Sequence, residues 1–372
     1  MDNMVRRPII YKKVSDLPRN TFMIDTLESS AKELFFIDNQ KTEKITDEIQ
    51  PAFDRFFEKK KEESIWIYYP WLKKAVNILP EQDYFRLRTN RNKNIILEEE
   101  QEVYRNAKVG IAGLSVGSSI LSALVISGGP KILKIADFDK IETSNLNRIR
   151  ANITDIGLNK TEVAARQTWE LDPFAELYIW DRGLNKDNME EFLVSSPRLD
   201  VFVDEMDSID LKVLARIICR RNKIPVVMAT DNGDGIILDV ERFDKDNNSP
   251  LFHGRINDDD LKNIINQKTR TKKEWINLAM RIIGPELMTE RHQESILEIG
   301  NTLRRPPQLG AAASIAGAAT SLAIRLIVNG KDLPAGRYVV SLEKSLILRY
   351  NMKREQTARL NKTESFKKTM GI

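Results

Sequence analysis

Residues 135–148 read IADFDKIETSNLNR, a buried strand that ends in an acid and runs directly into a polar loop. The apolar run 131–136 has the length and composition of a central parallel strand, and Asp137 stands at its carboxyl end. Ligands of open α/β sheets bind at that end. Upstream, residues 108–113 form another apolar run, followed by the small-residue turn Gly113-Leu114-Ser115-Val116-Gly117-Ser118 and an apolar helix over 120–126. Strand, glycine turn, helix, strand and terminal acid together make a βαβ unit of the nucleotide-binding type.

The alternation continues beyond this unit. Helices are expected over 160–170, 187–194 and 210–221, with strands over 177–180, 199–204 and 224–229. That pattern predicts a doubly wound, Rossmann-like, mostly parallel sheet. Runs at 235–243, 337–342 and 345–350 read as antiparallel strands extending it, and Asp258-Asp259-Asp260 reads as a helix start. Residues 1–80 are a small N-terminal extension, a candidate substrate or partner element, and 81–350 carry the core. Its aromatic stretch 66–71 suits core or interface packing, with recognition surface as the functional alternative. From Met352 onward six Lys/Arg stand against two Glu, so 351–372 reads as a basic, solvated tail.

Composition narrows the functional classes. The chain has 372 residues, enough for a full core, and 58 Lys+Arg against 54 Asp+Glu give a net charge of only +4. A dedicated nucleic-acid binder would concentrate far more positive charge, so nucleic acid is not indicated, although a tRNA substrate stays open. One cysteine, Cys219, and no charged-then-apolar leader point to a cytoplasmic protein without disulfides. Residues 309–328 approach the length of a membrane span, but alanine dominates and Arg325 interrupts, so a buried helix is expected.

Candidate site residues follow the strand ends. Gly113, Ser115 and Gly117 allow backbone N–H groups and a helix N-terminus to approach a phosphate, although a purely structural turn has the same composition. Asp137 can accept both hydroxyls of a ribose, in an ATP or a nicotinamide site, and Asp139 beside it joins the nucleotide-binding set. Asn145 and Arg148, three residues apart, can face one phosphate from one helical turn. Lys160 opens a helix from which a cation reaches a triphosphate, and Asp207, just past the 199–204 strand, is placed for Mg2+. The plain alternatives are a surface lysine at 160 and a helix cap at Asp207 or Ser208.

These segments resemble the ThiF/MoeB adenylyltransferase family, which includes the adenylation domains of ubiquitin-activating enzymes. The likeness rests on ADFDKIETSNLNR, on DIGLNK ending at Lys160, on Leu171-Asp172-Pro173, on VDEMDS at 203–208 and on KIPVV at 223–227. Pro307-Gln308-Leu309-Gly310 and Asn329-Gly330 add to it. The resemblance implies ATP and Mg2+ as cofactors and a carboxylate-bearing acceptor such as a ubiquitin-like protein or peptide, activated as an acyl adenylate. It implies ribose on Asp137, phosphates on Asn145, Arg148 and Lys160, and Mg2+ on Asp207. Arg91 matches the arginine that reaches the other subunit of a homodimer, with Arg88 as the alternative.

Two departures accompany the likeness. The family's glycines give way to Ser115, Val116 and Ser118, so the phosphate turn is altered. No Cys-x-x-Cys pair and no cysteine after the core are present, which argues against structural zinc and a thioester relay. His253 and His292 stand alone in the sequence. A nicotinamide oxidoreductase would use Asp137 but leave Arg148, Lys160 and Asp207 without a task. A nucleotide-binding scaffold without chemistry is the other alternative.

Overall fold

A computed structural model describes residues 6–371 except 257–260, 263 and 265–270. Their strands form two sheets. The smaller contains β1 (Ile9–Tyr11), β2 (Phe22–Asp25), β3 (Ile65–Tyr69) and β4 (Lys74–Ile78) in the order β1-β3-β4-β2. Helices α1 (Leu27–Asp38), α2 (Gln50–Glu63) and α3 (Glu81–Thr89) accompany it, and α4 (Glu98–Asn106) leads into the core.

The core contains β5 (Lys108–Ala112), α5 (Val116–Ile126), β6 (Ile132–Ala136), α6 (Lys160–Leu171), β7 (Glu176–Trp180), α7 (Met189–Val194), β8 (Val201–Asp204), α8 (Ile209–Arg221), β9 (Val226–Asn232) and β10 (Gly235–Glu241). After these come α9 (Lys272–Ile283), α10 (Glu290–Leu297), α11 (Gly310–Val328), β11 (Gly336–Ser341), α12 (Leu342–Leu346) and α13 (Lys353–Met370). The large sheet runs β11-β10-β9-β8-β5-β6-β7. From β9 to β7 it is parallel, and β10 and β11 add antiparallel strands. The fold is therefore Rossmann-like, as the strand pattern predicts. Its connections reverse direction between β5 and β8, which makes their carboxyl ends the switch point where such sheets bind ligands.

The apolar strands are buried on both faces. Val109, Ile111, Leu133, Ile135, Val201 and Val203 are fully enclosed between helices on either side. Helix α11, the one described helix long and apolar enough to cross a membrane, packs along α5 and across β9. Gly317 permits this, because a β-carbon there would lie 2.6 Å from the Ser119 carbonyl oxygen.

Two expectations change. Residues 345–350 do not form a strand: Ser341 Oγ accepts the Lys344 N–H, starting α12 directly after β11. The terminal segment is not a solvated tail but helix α13. Phe366 buries itself beside Met280, Met288 and Ile296, and Gln293 donates to Thr363 Oγ1 at 2.9 Å, so two non-basic side chains fix a basic helix. The aromatic stretch 66–71 packs against the core, in keeping with its reading as core or interface. Tyr69 donates to the Trp169 carbonyl at 3.2 Å and Trp71 to Glu170, both on α6. The proposed helix start at 258–260 lies outside the described residues.

Candidate active site

The turn after β5 is shaped by close approach. Gly113 has φ +91°, and a β-carbon there would overlap the Glu205 carbonyl oxygen at the end of β8. Leu114 N–H then donates to Asp137 Oδ2 at 2.6 Å, tying the turn to the end of β6. Asp137 Oδ1 accepts the Asp139 N–H at 2.8 Å. Burial raises Asp137 above the usual carboxylate range, while Lys160 and the two N–H groups pull it back. Each carboxylate oxygen keeps a second lone pair for an incoming hydroxyl.

Lys160 is not a surface lysine. At the first turn of α6 it is buried, with Nζ 2.7 Å from Asp139 Oδ2 and 3.7 Å from Asp137 Oδ2. An ammonium has three donors, and its one hydrogen bond, to Asp139, leaves donors over for a ligand. Arg148 reaches across the loop: Nε donates to Ser115 Oγ at 3.0 Å, and Nη1 donates to Ser144 O and Asn147 Oδ1. Its partners are all neutral. Partial burial lowers its basicity, and the fields of Asp231 and Asp207 oppose that.

The serines in the glycine positions have tasks. Ser115 receives the arginine, and Ser118 Oγ donates to the Ser115 carbonyl at 2.9 Å. The N-terminus of α5 keeps its first N–H groups without intrahelical partners, as any helix does. The altered turn thus remains compatible with a phosphate. Asn145 is buried, and its Oδ1 accepts the Glu142 N–H at 3.0 Å, so it shapes the loop while its amide N–H groups have no partner among the described residues.

Asp207 is exposed beyond β8 and is not a helix cap; Ser208 caps α8, accepting the Leu211 N–H. Arg88 and Arg91 separate clearly. Arg88 donates to the Val125 carbonyl at 2.6 Å and to Asp172 at 3.1 Å, so it is a structural link. Arg91 is exposed in the 3-10 turn Asn90–Asn92, whose Asn92 bonds Ser127 at the carboxyl end of α5. The phosphate turn is at the other end, about 16 Å away along an 11-residue helix. Arg91 therefore serves no part of the cluster in its own chain.

Four residues that the sequence reading did not place in the site line a cavity beside it. A cavity of about 210 Å3 opens beside Ser115 and Asp207 and is lined by Glu205, Asp231, His292 and Gln308. Burial pushes Glu205 up to about 8 and Asp231 up to about 6, and it takes His292 down to about 4. Glu205 and Gln308 lie in stretches that carry the family likeness, whereas Asp231 and His292 lie in none, and only the fold brings the four together. His253 is also not solitary: its Nε2 lies 2.8 Å from Asp239, which Arg337 also contacts at 2.9 Å. Cys219 is buried, with its thiol raised well above the ordinary range, which keeps it protonated.

The family model described as "ThiF family" matches residues 88–356. The chain belongs to the ThiF family. Among similar proteins, an uncharacterized protein of Mycobacterium tuberculosis, MT1398, is 37% identical over 281 residues, covering 76% of this chain and 38% of that protein. The tRNA threonylcarbamoyladenosine dehydratase of Escherichia coli K12 is 30% identical over 159 residues, 42% of this chain and 58% of the relative. The chain thus spans less than two thirds of either. The solved structure of E. coli MccB with ATP aligns at 16% identity and TM-score 0.47, over 90% of this chain and 92% of that one.

Proposed function

We propose that this ThiF-family chain is an ATP-dependent adenylyltransferase that activates an acceptor carboxylate as an acyl adenylate and releases pyrophosphate. The carrying observation is convergence. The Gly113 turn, Asp137, Arg148 and Lys160 meet at the carboxyl ends of β5 and β6, and Asp207 faces them across the switch point from β8.

In this reading Asp137 holds the ribose hydroxyls. Asp139 keeps Lys160 in place, and Lys160 directs a remaining donor toward phosphate oxygens. Arg148, bonded only to neutral groups, is free to redirect its guanidinium to an anion. Asn145 offers its amide to the same phosphates. Asp207 would carry Mg2+, its single exposed carboxylate fitting an ion that takes one or two protein carboxylates and otherwise water and phosphate. Bound there, Mg2+ would supply charge neutralisation at the phosphates. The acceptor carboxylate is already ionised, so its attack on the α-phosphorus needs no general base, and the chain's task is positioning and electrostatics.

Arg91 cannot reach this cluster within one chain, which favours a homodimer in which each Arg91 completes the partner's site. The acceptor is a protein C-terminus, a peptide or a small molecule; the dehydratase relative's name adds tRNA to the candidates. Arg148→Ala is the cleanest test, because it removes a cation that hydrogen-bonds only neutral groups. Acceptor-dependent exchange of pyrophosphate into ATP should fall about 100-fold or more with melting temperature unchanged. Exchange equal to wild type would remove Arg148 from the reaction.

A further inference from the structure

The cavity beside the proposed phosphate site has an unusual polar inventory. Its walls include Trp275, Ile276, Ala279, Ile283 and Ile296 from α9 and α10. Of its polar side chains, Glu205 Oε1 accepts the Ala229 N–H at 2.8 Å, and Lys212 Nζ is engaged by Asp204 and Met228. Asp231 differs. It is only 8% exposed, and neither carboxylate oxygen has a hydrogen-bond partner among the described residues. Gln308 and Arg148 lie near enough to favour its charged form.

A buried carboxylate that no donor satisfies is costly, and in a pocket it calls for a donor from outside. The described residues contain no group of three or more ligands for a metal ion, and the wall supplied by α9 is hydrocarbon. Topology sets the direction of approach. Asp137 ends β6 on one side of β5, whereas the cavity lies at β8 and β9 on the other, with Ser115 and Arg148 between. A ligand there meets the phosphates from the side opposite the ribose.

We propose that this cavity seats an alkylammonium group of the acceptor, its nitrogen on Asp231 and its hydrocarbon body against Trp275, Ile276, Ala279 and Ile283. The assignment rests on the adenylyltransferase reading and narrows the acceptor to one that carries a cationic, apolar group near the carboxylate to be activated. Phosphate-rich groups are disfavoured in a pocket bordered by Asp231 and Asp207.

Calorimetric titration of the full chain with 3-methylbutylamine, 3-methylbutan-1-ol and 3-methylbutanoate tests this, with the thermal shift given by ATP plus Mg2+ measured on the same samples. The amine should bind saturably, the alcohol more weakly and the carboxylate not at all. Asp231→Asn should weaken the amine about tenfold or more while keeping the ATP shift. Ala279→Trp, which adds an indole at a lining position of the cavity, should abolish amine binding and leave that shift in place. No amine binding to the wild-type chain, equal binding of amine and carboxylate, or unchanged affinity in Asp231→Asn would each overturn the assignment. Loss of the ATP shift in the wild-type chain with amine binding retained would instead strike the nucleotide reading alone.

Discussion

Lys160 shows how one residue carries both stability and chemistry. Its ammonium compensates the buried Asp137 and bonds Asp139, so Lys160→Ala removes the counter-ion of a carboxylate that burial already burdens. We expect it to abolish exchange and also to lower stability by about 1–3 kcal/mol, measured by denaturant unfolding. A variant as stable as wild type would mean that Asp137 does not depend on this partner. Asp231 behaves in the opposite sense. Its folded value near 6 lies above the ordinary 3.8, so the native state holds the proton more tightly than the unfolded chain. Its contribution is favourable below about pH 4 and is lost as pH rises through 6. Asp231→Asn should therefore stabilise the chain at pH 7 by up to about 3 kcal/mol and leave stability at pH 4 nearly unchanged. Equal stability of the two proteins at pH 7 would show that the carboxylate finds a partner in solution. The Asp137, Arg148 and Lys160 set was legible in the sequence because one loop and the helix after it carry all three. Asp231 was not, since an acid two residues beyond an apolar strand reads as a turn residue.

At the level of elements, the parallel strands announced themselves by uninterrupted apolar runs, and the acid at the end of β6 marked the ligand edge. The antiparallel β10 and β11 were equally readable. The terminal helix α13 was not, because its amphipathic signal reduces to Thr363 and Phe366 among basic residues, and its partners come from 280–296. The short α12 was missed for a local reason: a serine cap at Ser341 overrode the apolar run that followed. The contact between α5 and α11 explains the alanine-rich composition of 310–328. Gly317→Val forces side-chain atoms against the Ser119 carbonyl and should cost about 1–3 kcal/mol, read as a lower denaturation midpoint. Because α5 also presents the phosphate turn, that variant should weaken the ATP-induced thermal shift as well. An unaltered midpoint would show that the helices can separate without penalty.

Across the whole molecule, the N-terminal sheet is joined to the core by Tyr69 and Trp71 on α6 and by Arg88 and Arg105 on Asp172. The Leu171-Asp172-Pro173 turn, part of the family likeness, thus has a structural role here. The same frame leaves Arg91 outside its own site, which gives the proposed dimer a direct test. Arg91→Ala and Arg148→Ala should each be inactive alone, yet mixing them after subunit exchange should restore activity, because one site in the mixed dimer keeps both arginines. No recovery in a mixture proven to contain mixed dimers would contradict that arrangement.

The central claim is adenylyl transfer from ATP. Wild-type and Arg148→Ala protein would be incubated with Mg2+, ATP labelled with 13C in its adenosine and a cell extract, and the mixture searched by mass spectrometry for species that gain labelled AMP. The account predicts a labelled acyl adenylate with the wild-type protein and none with the variant. Labelled AMP appearing equally with both proteins, or ATP bound by the wild type with no adenylated species in any extract supplied, would contradict it.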